Sequence, residues 1–132
     1  MTSIAISTQP SKSAVWTSRI LYGIAMLFMT FDAVLHVANP ALVQQASVPL
    51  GIPAGIMPTV GVIELVIVAL LLIPRTAFIG ALFLTAYLGG ATAIQVRAGM
   101  PAFQVVFPAI VATLVWAGLA LRRDDIRRLI VR

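Results

Sequence analysis

The sequence predicts an all-α membrane protein: four transmembrane helices in an up-down bundle, with both termini cytoplasmic. Three observations carry that expectation. Of 132 residues, 61% are hydrophobic and only 10% are charged, with a mean hydropathy of +1.05. Soluble domains carry about a quarter charged residues, and four acids with nine bases cannot cover a water-facing surface. The apolar residues fall into four long runs, and the bases gather on one side of them. Together these features exclude a soluble enzyme and an intrinsically disordered chain.

The runs cover residues 19–37, 57–73, 76–96 and 103–121. Each is long enough to cross a hydrocarbon core of roughly 30 Å at about 1.5 Å per residue. Backbone groups cannot be left unpaired in lipid, so such runs are helices. Pro40, Pro49, Pro53 and Pro58 punctuate the first interval, Pro74 the second, and Gly99 with Pro101 the third. Residues 1–18 are rich in Ser and Thr and are expected to form a disordered cytoplasmic arm. No small-residue cleavage site follows Ile20–Phe31, so the first run is expected to stay in the protein.

With four spans the termini share a side. Lys12, Arg19, Arg75 and five arginines in the tail 122–132 lie there, against Arg97 alone on the other. That asymmetry predicts cytoplasmic termini, in a bacterial cytoplasmic membrane. The tail mixes bases with Ile126, Leu129, Ile130 and Val131 and reads either as an amphipathic helix on anionic lipid or as a plain stop-transfer tail. Trp16, Tyr22 and Trp116 are expected at the inner interface. The basic excess thus has a membrane explanation, and nucleic acid is not an expected partner.

Small residues recur every four positions in the third span (Ala77, Ala81, Thr85, Gly89, Ala93) and again at Ala109, Thr113 and Ala117. Such ladders let helices approach closely in lipid. They are expected to be internal packing seams, with a homo-oligomer face as the secondary use.

The polar residues inside the spans converge in depth. Asp32 lies about 20 Å above the boundary at Arg19, hence about 10 Å below the outer surface. Glu64, descending from Met57, and Tyr87, ascending from Arg75, reach about the same level. His36 is one turn above Asp32 on the same face. Thr92, Gln95, Arg97 and Gln104 sit near the outer rim, and Arg97 is long enough to hold one or both carboxylates. Ionisable residues inside membranes are functional by default. Asp32, Glu64 and His36 are therefore the catalytic candidates, with Tyr87, Gln95, Arg97, Thr92 and Gln104 as ligand-binding candidates. The competing reading makes Asp32 and Glu64 a structural network with Arg97 and Tyr87, His36 a solvated rim residue, and the glutamines helix-end groups.

Two carboxyls at a desolvated depth repel each other, so at least one should hold its proton more tightly than usual, which suits general acid–base work. A neighbouring imidazole can relay that proton. No cysteine and one histidine give no basis for a disulfide framework, an iron–sulfur cluster or a multi-histidine metal site. No metal and no built-in cofactor are expected. The expected ligand is a small lipophile such as a quinone, an enone or an epoxide.

Four stretches carry a family resemblance: Phe31-Asp32-Ala33-Val34-Leu35-His36 leading to Pro40; Leu50-Gly51-Ile52-Pro53; Gly61-Val62-Ile63-Glu64-Leu65 running to Leu72-Ile73-Pro74-Arg75; and Thr85-Ala86-Tyr87-Leu88-Gly89-Gly90 ending in Val96-Arg97-Ala98-Gly99. In this order they resemble the DoxX-like membrane proteins over roughly residues 19–121. The resemblance implies a compact four-helix membrane protein, with some relatives linked to thiosulfate–quinone oxidoreduction or to quinones and oxidative stress. Glu64, Tyr87 and Arg97 match its recurring polar positions. His36 stands where a lysine is common, and Gln95 where a histidine is common. Three functions follow as expectations. The first is a quinone-binding, redox-associated protein with a partner oxidoreductase. The second is a stand-alone isomerase or hydrolase of a small lipophile, and the third a non-catalytic membrane module. Permeation is disfavoured because the inner half offers only Thr85 and Thr113 among apolar residues.

Overall fold

A computed structural model describes residues 10–130. The described residues form α1 (Lys12–Ala38), α2 (Ala41–Ser47), a short 3₁₀ turn (Ala54–Ile56), α3 (Met57–Leu72), α4 (Ala77–Arg97), α5 (Ala102–Arg122) and α6 (Asp124–Ile130). No strand occurs among the described residues. The helices α1, α4 and α5 are long and apolar enough to cross a membrane; α3 is apolar but has 16 residues. The chain is an integral membrane protein on that ground.

Four helices close around one core. The α1 helix packs on α3 and α5, and α4 packs on the same two from the opposite corner. Contacts between distant helix ends show that neighbours run antiparallel. Ser18, early in α1, donates to Gly118 O, late in α5, at 2.6 Å. Tyr22 donates to Leu71 O, at the end of α3, at 2.5 Å. One end of the bundle therefore holds both described termini and the Pro74 turn. The other holds α2 and the turn at Gly99.

The burial pattern of α1 suits lipid. Ile20, Ile24, Leu27, Phe31 and Val34 form an exposed stripe at helical spacing, while Ser18, Tyr22, Ala25, Met26, Met29 and Ala33 face inward. Apolar side chains thus lie outside and the few polar ones inside, as a helix bundle needs where lipid replaces water.

The terminal end is closed tightly. A Cβ on Gly80 would lie 2.9 Å from the backbone nitrogen of Leu71, and one on Gly118 would lie 3.0 Å from Tyr22 Cβ. Thr76 Oγ1 donates to Leu70 O at 2.8 Å, Arg123 Nη1 donates to Pro74 O at 3.0 Å, and the Arg122 guanidinium stacks 4.1 Å from the Tyr22 ring centre. Tyr22 is therefore a buried clamp between α1 and α3. Trp16 is exposed, and Trp116 donates its indole N–H to Thr85 Oγ1 at 2.9 Å.

Several sequence expectations are corrected here. Helix α1 begins at Lys12, capped by Ser11, whose Oγ accepts from Ala14 N at 3.2 Å. Residues 12–18 of the expected disordered arm are thus helical, while residues 1–9 lie outside the described residues. The tail is helical from Asp124, and Ile126 is buried in the bundle core while Leu129 is exposed. The four-residue ladder of α4 is a packing seam only at its start: Ala77 and Ala81 are buried, whereas Thr85, Gly89 and Ala93 are exposed. Among the α5 ladder residues, Ala109 and Thr113 are exposed as well.

Candidate functional site

The site is set by the closest backbone approach in the protein's described glycines. Gly61 in α3 lies against the last turns of α1: a Cβ there would be 2.5 Å from Val37 N and 2.7 Å from Ala33 O. Only a missing side chain permits that contact. One turn further along α3, Glu64 is carried onto the same face of α1 and becomes fully buried.

There Glu64 Oε2 meets His36 Nδ1 at 2.6 Å, and His36 Nδ1 is 3.7 Å from Asp32 Oδ2, one helical turn below it. With Glu64 ionised, the bond is donated by the imidazole N–H, because a carboxylate only accepts. Tyr87, on α4, lines the same cavity as these three groups. The side chain of Asp32 is 35% exposed and that of Glu64 only 1%. The three ionisable groups thus form a compact triangle, with both carboxyls beside the same imidazole nitrogen, and Asp32 is its more exposed corner.

This cluster heads a cavity of about 600 Å³. Asp32, His36, Glu64, Tyr87 and Gln95 give its polar end; Phe28, Met29, Val60, Ile94, Phe107 and Val111 give much of the rest. The space exists because α4 turns small residues toward it: Ala86, Gly90 and Ala91 line the wall. A Cβ on Gly90 would meet nothing within 4 Å. No lysine or arginine lines the cavity. Two acceptor atoms, Glu64 Oε1 and Gln95 Oε1, are buried with no hydrogen-bond partner among the described residues.

The other candidates are placed elsewhere. Arg97 does not reach the carboxylates: its Nη2 donates to Leu50 O at 2.9 Å, bracing the loop whose Leu50 and Ile52 line the cavity. Gly51 at φ +68° makes that loop geometry accessible, and a Cβ there would stand 3.3 Å from the same guanidinium. Thr92 donates to Leu88 O at 3.0 Å within its own helix and does not line the cavity. Gln104 is exposed and lines a separate recess of about 190 Å³ with Gln95, Phe103 and Phe107. Sequence reasoning missed Leu50, Ile52 and the aromatic lining by Phe28 and Phe107; the glycine one turn before Glu64 was the available signal for the close α1–α3 contact.

Chemically, two carboxyls and an imidazole this close can share and exchange a proton among themselves while a lipophilic molecule occupies the apolar part. The donor atoms of Asp32, His36 and Glu64 lie within 4.8 Å of one another, so the same three side chains could also converge on one cation. The fold and site together define an all-helical membrane protein with a buried acid–imidazole cluster at the head of an apolar cavity.

The chain belongs to the DoxX-like family, whose pattern it matches over residues 20–118, from α1 into the last turns of α5. No curated protein and no solved structure matches it.

Proposed function

We propose that this protein binds a small lipophilic ligand such as a quinone, with the ligand's polar head against Asp32, His36, Glu64 and Tyr87, in association with a partner oxidoreductase. The observation that carries the reading is the fully buried Glu64 held at 2.6 Å by His36 at the polar end of a cavity of about 600 Å³. A buried carboxylate weakens a bundle unless it is paired, and its retention beside an open apolar volume is the mark of a binding site. In this reading α3 is the fourth span, extended at its start by the turn Ala54–Ile56. Both termini face the cytoplasm of a bacterial cell, and the cavity opens toward the outer leaflet.

Asp32 supports a second reading. It approaches the same imidazole nitrogen as Glu64 and is the more exposed of the two acids, so the cluster holds a second carboxyl that a substrate in the cavity can meet. That arrangement serves an isomerase or hydrolase of an epoxide or enone as well as it serves a binding site. Two measurements test these proposals. Purified protein should retain a short-tailed quinone in equilibrium dialysis, and Glu64→Ala should lower that retention by about tenfold or more; equal retention by the variant rules out this site. Turnover of a lipophilic epoxide or enone that disappears in both Asp32→Asn and Glu64→Gln would favour the second reading. Labelling of a cysteine placed at position 45 from outside intact cells tests the orientation.

A further inference from the structure

The cavity is lined by two acids, Asp32 and Glu64, and one imidazole, His36, with no lysine or arginine. Glu64 holds the imidazole at 2.6 Å, while Asp32 stands 3.7 Å from the same nitrogen, beyond hydrogen-bond length. Arg97 is committed to Leu50 O. The Tyr87 hydroxyl and the Gln95 amide, in the same wall, can donate to a carboxylate but bring no charge. One imidazolium cancels one carboxylate, so the ionised pair of acids leaves one negative charge over. Charges at such depth are matched by a partner, and the lining side chains do not supply it. Asp32 is also the acid that a ligand can meet, with its side chain 35% exposed against 1% for Glu64. Phe28 lies one turn before Asp32 on the same face of α1 and packs edge to face on Phe107, with ring centres 5.0 Å apart. Both rings line the cavity. An accessible carboxylate beside aromatic rings is the chemistry that holds an organic cation. A metal ion would use the acids and the imidazole but leave the apolar volume of about 600 Å³ unfilled.

We infer that the cavity selects a lipophilic amine, bound as its ammonium ion, with the charge against Asp32 and the apolar body along Phe28, Phe107 and Val111. This rests on the reading that the cavity holds a small lipophile by its polar head, and it makes that head cationic. Three ligands of one shape are thereby separated. An ammonium is attracted by the acids and by the ring faces. An alcohol gains a hydrogen bond and no charge match, and a carboxylate is repelled by both acids. The Glu64–His36 pair stays intact in this assignment, because the accessible acid is Asp32. The selection therefore lies in charge and is separable from general lipophilicity.

The test compares three probes on the purified full chain in phosphatidylcholine nanodiscs at neutral pH: 4-butylbenzylamine, 4-butylbenzyl alcohol and 4-butylbenzoate. Empty nanodiscs of the same lipid give the partitioning background to subtract. The amine is expected to bind about tenfold or more tightly than the alcohol, and the benzoate more weakly than either. Asp32→Asn keeps the side-chain volume and removes the charge, and it should bring the amine down to the affinity of the alcohol. Phe107→Leu should lower amine binding severalfold and alcohol binding less, and it reports on the site even if the Asp32 variant fails to fold. Alcohol binding as tightly as the amine, or an amine preference that survives Asp32→Asn, would overturn the inference and leave the binding reading standing. Failure of all three to bind would overturn both.

Discussion

The two walls of the cavity are built on opposite principles. Between α1 and α3 the backbones nearly touch, with Gly61 against Val37 N and Ala33 O, and that contact delivers Glu64 to His36. Across the cavity, α4 uses Ala86, Gly90 and Ala91 to leave volume, and a Cβ on Gly90 would meet nothing within 4 Å. Glycine thus serves close approach on one wall and empty space on the other. The comparison teaches that the acid–imidazole pair and the capacity of the site belong to different helices and can be altered separately.

The strongest way to break the contrast is to remove one member of the tight wall's polar pair. His36→Ala should destabilise the protein by about 3 kcal/mol at neutral pH, because it strands a buried carboxylate, as read by thermal unfolding in detergent. The double variant His36→Leu with Glu64→Leu should recover most of that loss while binding remains absent. Next in size is Gly61→Val, expected to cost about 1–3 kcal/mol by overpacking and to separate Glu64 from His36. The matched change on the open wall, Gly90→Val, should shift stability little. It should lower ligand affinity severalfold by filling the cavity, and equal destabilisation by the two valines would refute the contrast. Arg97→Ala removes one exposed hydrogen bond to the Leu50 loop, worth about 1 kcal/mol or less. Its clearer readout is faster ligand release.

The smallest effect lies at the far end of the molecule. The Arg123 guanidinium, bonded at 2.7 Å, holds the exposed Asp125 carboxyl below the usual carboxylate range. A lowered folded-state value gives stabilisation that is present above the ordinary carboxylate range and lost as pH falls through the lowered value. Acidification into that window should loosen α6, seen as faster amide exchange there, with ligand affinity unaffected by Asp125→Asn.

Helix rise is fixed, so counting residues placed Asp32, Glu64 and Tyr87 at one level, and all three line one cavity. His36 followed from its i+4 relation to Asp32. Other features depended on tertiary detail. Arg97 pairs with Leu50 O, a loop carbonyl next to the left-handed Gly51, a partner that helix counting does not reveal. The small-residue ladder of α4 misled because a four-residue repeat drifts by about 40° per step on a helix of 3.6 residues per turn. From Ala77 to Ala93 it crosses most of the way to the opposite face. The start of α1 was hidden because low hydropathy marks the edge of lipid, whereas Ser11, as a cap, marks the edge of the helix.

The order of the polar residues along the chain also bears on how the cluster can be neutralised in lipid. Asp32 and His36 are made before Glu64, so a chain entering a bilayer from its N-terminus commits an acid to hydrocarbon before α3 exists. An ionised residue at such depth costs about 2.5–3.5 kcal/mol on insertion scales. Within α1 itself, Asp32 lies 3.7 Å from His36 and can share its charge during that interval. When α3 follows, Glu64 takes the closer position at 2.6 Å. In the closed bundle Asp32 keeps its 3.7 Å approach to His36, so the imidazole nitrogen that serves α1 alone is shared by two helices once α3 is in place.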